Sequence, residues 1–163
     1  MPAVDTGVPR WAAPASTALA AAGLAVSVHL TVEHFTASAT LACPASGAVN
    51  CQKVTTSEQA VLFGIPVAIL GTIFFLAMLG ACLPASWRSH TRAVGRARLA
   101  LAAAGAAFVV YLVYAELFLI NAVCLWCTAA HVLALGLFAV VAVATAATEP
   151  PQPDRSARPP RGN

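Results

Sequence analysis

What this chain has least of is charge. Of its 163 residues only 9% are Asp, Glu, Lys or Arg, while 60% are hydrophobic. A soluble domain carries about 25% charged residues, so the deficit excludes an ordinary soluble protein and places the chain in the membrane class. Acid is absent where base is densest: Pro84–Arg98 holds Arg88, Arg92, Arg96 and Arg98 and no Asp or Glu. These arginines, and the second group Arg155, Arg158 and Arg161, sit between or after apolar runs. They read as topology signals, and no nucleic-acid partner is expected. Cysteine is limited to five residues, too few for a disulfide scaffold but enough for two pairs and one spare. There is no internal repeat and no separate soluble domain.

What is there is a set of apolar runs. Crossing ~30 Å of hydrocarbon takes about 20 apolar residues. Candidate spans run from Trp11 to Val32, Val61 to Leu83, Leu99 to Ile120 and Val123 to Ala147. In lipid each must satisfy its backbone internally, as a helix. The expected fold is therefore all-α: an integral membrane bundle of four transmembrane helices, with a long outward loop between helices 1 and 2. Lys and Arg favour the cytoplasmic side. That rule puts both termini and the Arg-rich loop in the cytoplasm of an inner or plasma membrane, with the first loop and the turn at Asn121 outward. The chain divides into a cytoplasmic N-terminus (1–10), a membrane domain (11–147) and a Pro/Arg-rich tail (148–163) expected to be disordered. An alternative for the first span is a cleaved signal peptide ending near Ala37-Ser38-Ala39; the run is longer than a signal core and the site lies well past its end.

Four of the five cysteines then fall on one face. Cys43 and Cys51 lie in the outward loop, and Cys124 and Cys127 at the outward start of the fourth span. That face is the oxidising one in bacteria. Cys124-Leu125-Trp126-Cys127 has redox-dithiol spacing, and a helix N-terminus supplies N–H groups and partial positive charge that stabilise a thiolate at Cys124. The rivals are a four-ligand zinc site, to which Cys43 and Cys51 could add two ligands, and simple small-residue packing; a site opening into lipid and a loop without a matching short spacing weigh against the first, the second outward pair weighs against the other, and no metal is expected. Around the loop pair, Pro44, Gly47 and Asn50 are turn formers, so the loop can fold back and close a disulfide, either as a static staple or as one partner in exchange. Cys82 lies near the opposite end of the second span and reads as a packing residue.

These features resemble the vitamin K epoxide reductase family, and within it the bacterial disulfide-forming homologues. The resemblance rests on the spaced pair Cys43 and Cys51, the hydroxyl-rich Cys51-Gln-Lys-Val-Thr-Thr-Ser57, the lead-in Phe63-Gly64-Ile65-Pro66, and Cys124-Leu-Trp-Cys127 opening the last helix. It covers roughly residues 15 to 147. The other quinone-linked disulfide generator, the DsbB type, has its two-residue cysteine spacing in the first outward loop, the reverse of the order here. Some bacterial relatives carry a fused thioredoxin-like domain; only a short tail without cysteine follows here, so the implied partner is a separate thioredoxin-fold (DsbA-like) protein.

The resemblance implies a relay. The partner's thiolate attacks the Cys43–Cys51 disulfide, Cys51 then attacks Cys124, and Cys127 leaves toward a membrane quinone of menaquinone, ubiquinone or vitamin K type. It implies that His131, on the same helix face as Cys127, lines the quinone pocket, and that Thr56 and Ser57 support the site by hydrogen bonding; capping is a compatible role for both. The alternative for His131 is a bond to a neighbouring helix. Asn121 either bonds the quinone or caps the fourth helix, the latter being favoured. Glu116, an acid in the third span, serves proton traffic or reaches the interface. His29, Glu33 and His34 read as interface anchors. Rival functions are a reductase of vitamin K quinone or its epoxide, and a non-catalytic membrane subunit with structural disulfides.

Overall fold

A computed structural model describes residues 8–36, 48–89 and 91–148. Cys43, the possible signal-cleavage site and the tail beyond Thr148 lie outside the described residues. Among the described residues are six α-helices: α1 (Ala12–Thr36), α2 (Cys51–Thr55), α3 (Val67–Cys82), α4 (Pro84–Trp87), α5 (Arg92–Tyr114) and α6 (Leu125–Thr148). A two-stranded ribbon, β1 (Val61–Leu62) with β2 (Ile65–Pro66), precedes α3. The bundle is otherwise helical, and α1, α5 with its extension to Ile120, and α6 are each long and apolar enough to cross a membrane.

The second span is shorter than its apolar run. Val61–Pro66 forms the ribbon, whose turn places Phe63 (φ 52°) and Gly64 (φ 81°) in the left-handed region. Both turn residues at positive φ make the tight two-residue hairpin that matches strand twist. Pro66 has no N–H to give a preceding helical turn, so α3 starts only at Val67. Its 16 residues span about 24 Å at ~1.5 Å per residue. The third span departs in the other direction. It begins at Arg92, not Leu99, so that three of the four loop arginines are helical.

α1 packs along α3 and α6, and α5 along α6 with a smaller contact to α3. Phe75, Met78, Leu137 and Val141 form the centre of the core. Small residues let the helices close in. A β-carbon at Gly23 would fall on the Phe75 ring, and one at Gly105 on the Phe74 ring. The two adjacent phenylalanines of α3 thus point into notches on α1 and α5. Hydroxyls tie the same helices: Thr31 Oγ1 lies 3.0 Å from Thr72 Oγ1, and Thr17 donates to the Cys82 carbonyl at 2.8 Å. Such small-residue and hydroxyl contacts are what hold helices together in lipid, where apolar burial does not. The outer surface carries Val32, Ile73, Leu76, Val110, Val132 and Val143, all exposed, an apolar belt fit for acyl chains.

Candidate functional site: a buried dithiol at the mouth of a helical cavity

Main-chain pairing joins two distant pieces of sequence. Val49 and Val123 form an isolated parallel bridge. Asn50 N donates to the Val123 carbonyl at 3.1 Å, and Val123 N to the Ala48 carbonyl at 2.9 Å. Immediately after the bridge each segment starts a helix with a cysteine. Asn50 caps α2, its Oδ1 accepting from Lys53 N at 2.9 Å, so Cys51 is the first residue of that helix. On the other segment Cys124 fills the capping position before α6. The N–H of Cys127 donates to Cys124 Sγ at 3.3 Å, and the Cys124 carbonyl accepts from Thr128 N at 2.8 Å. Cys51 (1% exposed) and Cys124 (0%) end up in one buried cluster with Val54, Ile120 and Ala122, against which Trp126 and Cys127 pack.

The oxidation states differ. Cys51 is in a disulfide, whereas Cys124 and Cys127 are free thiols. The Cys127 thiol hydrogen-bonds Cys124, and with the backbone N–H groups of Cys127 and Trp126 it holds the Cys124 thiol below its ordinary range, against the opposing effects of burial and the Glu116 charge. A depressed value favours the thiolate, the nucleophilic and leaving form.

The stretch before the dithiol is not a plain helix. From Ala115 to Ile120 α5 continues as a π-helical turn, a form often found at functional sites, and Asn121 ends it in the left-handed conformation (φ 51°, ψ 45°). Ala122 N donates to the Glu116 carbonyl at 3.1 Å. The Glu116 carboxylate, only 6% exposed, accepts from the Cys124 backbone N–H. Asn121 therefore caps the helix before it, not the fourth helix after it. It is solvent-exposed and lies outside the cavity lining. The reason is local: four residues separate the two helices, and Cys124, directly before α6, already supplies the side-chain acceptor that a cap needs.

Behind the dithiol, between α1, α3, α5 and α6, is a cavity of about 310 Å³. Its walls are largely apolar, with Phe74, Phe75 and Phe108 among them. Cys127 lines it, while Cys124 and Cys51 do not. His131, one turn further along α6, also lines it, is 7% exposed and makes no side-chain hydrogen bond to a neighbouring helix among the described residues. Glu116 lines it too.

The chain matches the family profile described as the vitamin K epoxide reductase family over residues 14–142. The chain belongs to the vitamin K epoxide reductase family. In this family member the paired cysteines, one pair reduced and one half in a disulfide, are redox-capable groups in the setting expected of a thiol oxidoreductase.

The hydroxyl stretch divides between surface and cavity. Ser57 lines the cavity, whereas Thr56 is exposed and gives its hydroxyl to the Gln52 carbonyl at 2.8 Å. Ser57 itself donates to the Val54 carbonyl at 2.7 Å. Both close the end of α2. Thr55 and Gln59, not singled out from sequence, line the cavity as well. The signal for Thr55 was available: four residues after Cys51 on a helix it shares that cysteine's face. Two of the interface histidines also have inner roles. His34 lines the cavity, and His29 packs on Trp126 with ring centroids 4.6 Å apart.

Proposed function

We propose that this family member is a quinone-dependent thiol oxidoreductase of the bacterial disulfide-forming kind. It takes electrons from a separate thioredoxin-fold (DsbA-like) protein and delivers them to a membrane quinone. The observation that carries the reading is the Val49–Val123 bridge, which packs Cys51 against Cys124 while, of the described cysteines, only Cys127 opens onto the cavity. That order, from buried junction to cavity, is the order in which a relay needs its sulfurs.

In the first step a thiolate of the partner attacks the Cys43–Cys51 disulfide at Cys43, and the partner's second thiolate resolves the mixed disulfide. The partner is oxidised and the loop pair is left reduced. Cys51 then attacks the oxidised Cys124–Cys127 pair at Cys124, forming a Cys51–Cys124 bond and releasing Cys127 as a thiolate. Cys43 resolves that bond, so the loop disulfide is restored and the helix pair is reduced. A quinone bound in the cavity supplies a two-electron acceptor for that pair. The apolar walls and few polar groups suit a ring with two carbonyls and an isoprenoid tail. His131 is placed to hold a proton or a hydrogen bond at a carbonyl, and Glu116 to hold the Cys124 backbone and pass a proton. Ser57 supports the wall.

The same reading has four membrane crossings, the shorter α3 completing the bundle, with residues 11–147 as the membrane domain. A shorter helix is accommodated by local thinning of the bilayer or by its flanking residues. Both termini and the arginine-rich connection lie in the cytoplasm of an inner or plasma membrane, and the dithiols outward. The decisive experiment is stopped-flow absorbance of purified protein mixed with quinone and a reduced thioredoxin-like partner. Quinol formation requiring Cys43, Cys51, Cys124 and Cys127 is the expected result. Equal quinol formation with Cys124 or Cys127 replaced by Ser would sink the proposal and leave the disulfides as structural staples.

A further inference from the structure

The opposite end of the bundle has its own cavity, of about 220 Å³, where α1 begins, α4 leads into α5 and α6 ends. Trp87, Ser89, Thr91, Arg92, Arg98 and Thr145 line it. Arg98 is the unusual member. It is 6% exposed. Its Cζ sits 3.3 Å from the centre of the Trp87 ring, Nη1 donates to the Ala81 carbonyl at 3.2 Å, and Nε has no hydrogen-bond partner among the described residues. A ring face and one carbonyl do not neutralise a buried guanidinium, and charges removed from water are costly unless paired.

Three further donors face the same space. Arg92 brings a second guanidinium from the first turn of α5. Ser89 Oγ and Thr91 Oγ1 are 2.9 Å apart; one hydroxyl proton joins them, and the other has no acceptor among the described residues. Thr91 is also the cap of the 23-residue α5, it makes no capping side-chain bond, and the first turn holds no acid. Of the N–H groups there, that of Val94 turns back to the Thr91 carbonyl at 3.1 Å; those of the two residues before it, with the partial positive charge of the helix start, suit an anion. Planar guanidinium forks, a hydroxyl and a helix N-terminus together are the donor set that phosphate oxygens accept.

We propose that this cavity binds a phosphate group, held by Arg92 and Arg98 at the start of α5. It lies at the ends of helices long enough to cross a membrane, the depth at which lipid headgroups sit. Basic pockets between spanning helices are typical headgroup sites. The phosphate of an anionic lipid is therefore the source its position favours, and free phosphate offers the same chemistry. The competing account is that the two arginines only complement the carbonyl end of α6, where Thr145 and Thr148 lie.

The test is binding of radiolabelled inorganic phosphate to the full chain in an uncharged detergent, against chloride at matched ionic strength, with short-chain phosphatidic acid as competitor. Saturable phosphate binding displaced by phosphatidic acid is expected. Arg92→Gln, at an exposed position, should weaken both by roughly tenfold, as loss of a charge-assisted bond does. Phosphatidic acid binding well above phosphate in affinity identifies a lipid, and equal affinities identify the free ion. Absence of saturable binding by either probe, or binding that Arg92→Gln leaves unchanged, overturns the proposal; Arg98→Lys, which keeps the charge and loses the fork, should weaken binding without unfolding the chain.

Discussion

The two ends of the bundle use the same device for opposite purposes. At each, a helix begins beside a cavity and one charged residue is buried to within a few per cent. At the dithiol end the residue is Glu116 and the capping atom is a sulfur; at the arginine end it is Arg98 and the capping residue is a threonine. Neither charge has an opposite partner among the described residues. At the first end the helix start stabilises an anion that belongs to the protein, the Cys124 thiolate. At the second it faces a space in which no anion stands among the described residues. A helix N-terminus thus attracts negative charge in either case, and whether it makes a reactive group or a binding site depends on whether the chain itself provides the anion.

The largest effect that would sharpen this contrast is at the sulfur facing the cavity. Cys127→Ser should lower quinone reduction by about three orders of magnitude or more, as loss of one member of a catalytic unit does, with little change in the thermal melt. An equal loss of both would make the dithiol a staple and erase the distinction between the ends. The pH dependence comes next. In reduced protein the Cys124 thiolate, followed by its ultraviolet absorbance, should persist to a pH below the ordinary thiol range. Cys127→Ala, which removes the largest cause of that depression, should move the inflection upward. Because the folded value is the lower one, the stability this group contributes is full above the unfolded value and is lost as pH falls through the folded one.

The seam joining the ends is tested by Gly23→Val. The Phe75 ring occupies the space a side chain would need, so overpacking should cost ~1–3 kcal/mol by thermal or denaturant unfolding. Gly80→Ala, where nothing lies within 4 Å, should be neutral or stabilising by comparison. At the arginine end Cys82, fully buried in the core, should tolerate Ala for about 1 kcal/mol and with unchanged quinone reduction. If activity fell instead, the two ends would be coupled. The smallest effect is at Asn121. Because its backbone is left-handed, Asn121→Ala should cost about 1 kcal/mol and Asn121→Gly less, with the Michaelis constant for quinone unchanged in both; a raised constant would restore Asn121 to the quinone site.

Much of this was legible in the chain itself. The apolar runs foretold membrane-spanning helices, because lipid allows little else. The two-residue cysteine spacing foretold a helix start with a depressed Cys124, because both follow from local geometry. The Pro66 boundary was also written locally, in Phe63-Gly64-Ile65-Pro66, although hydropathy alone ran the second span through it. The hydroxyl pair was less legible: Thr56 and Ser57 are neighbours in sequence, but a five-residue helix turns one outward and the other to the cavity, and brings in Thr55.

By itself the sequence determined what depends on neighbours along the chain: the apolar lengths, the arginine clustering, and the sulfur poised at the start of α6. Tertiary structure alone decided what depends on meeting: the bridge of Val49 to Val123 that brings Cys51 beside Cys124, the phenylalanine notches at Gly23 and Gly105, and the burial of Arg98 under Trp87. Composition and spacing constrain each segment through its own backbone, whereas these contacts join residues far apart in the chain, and their partners exist only once the helices have packed.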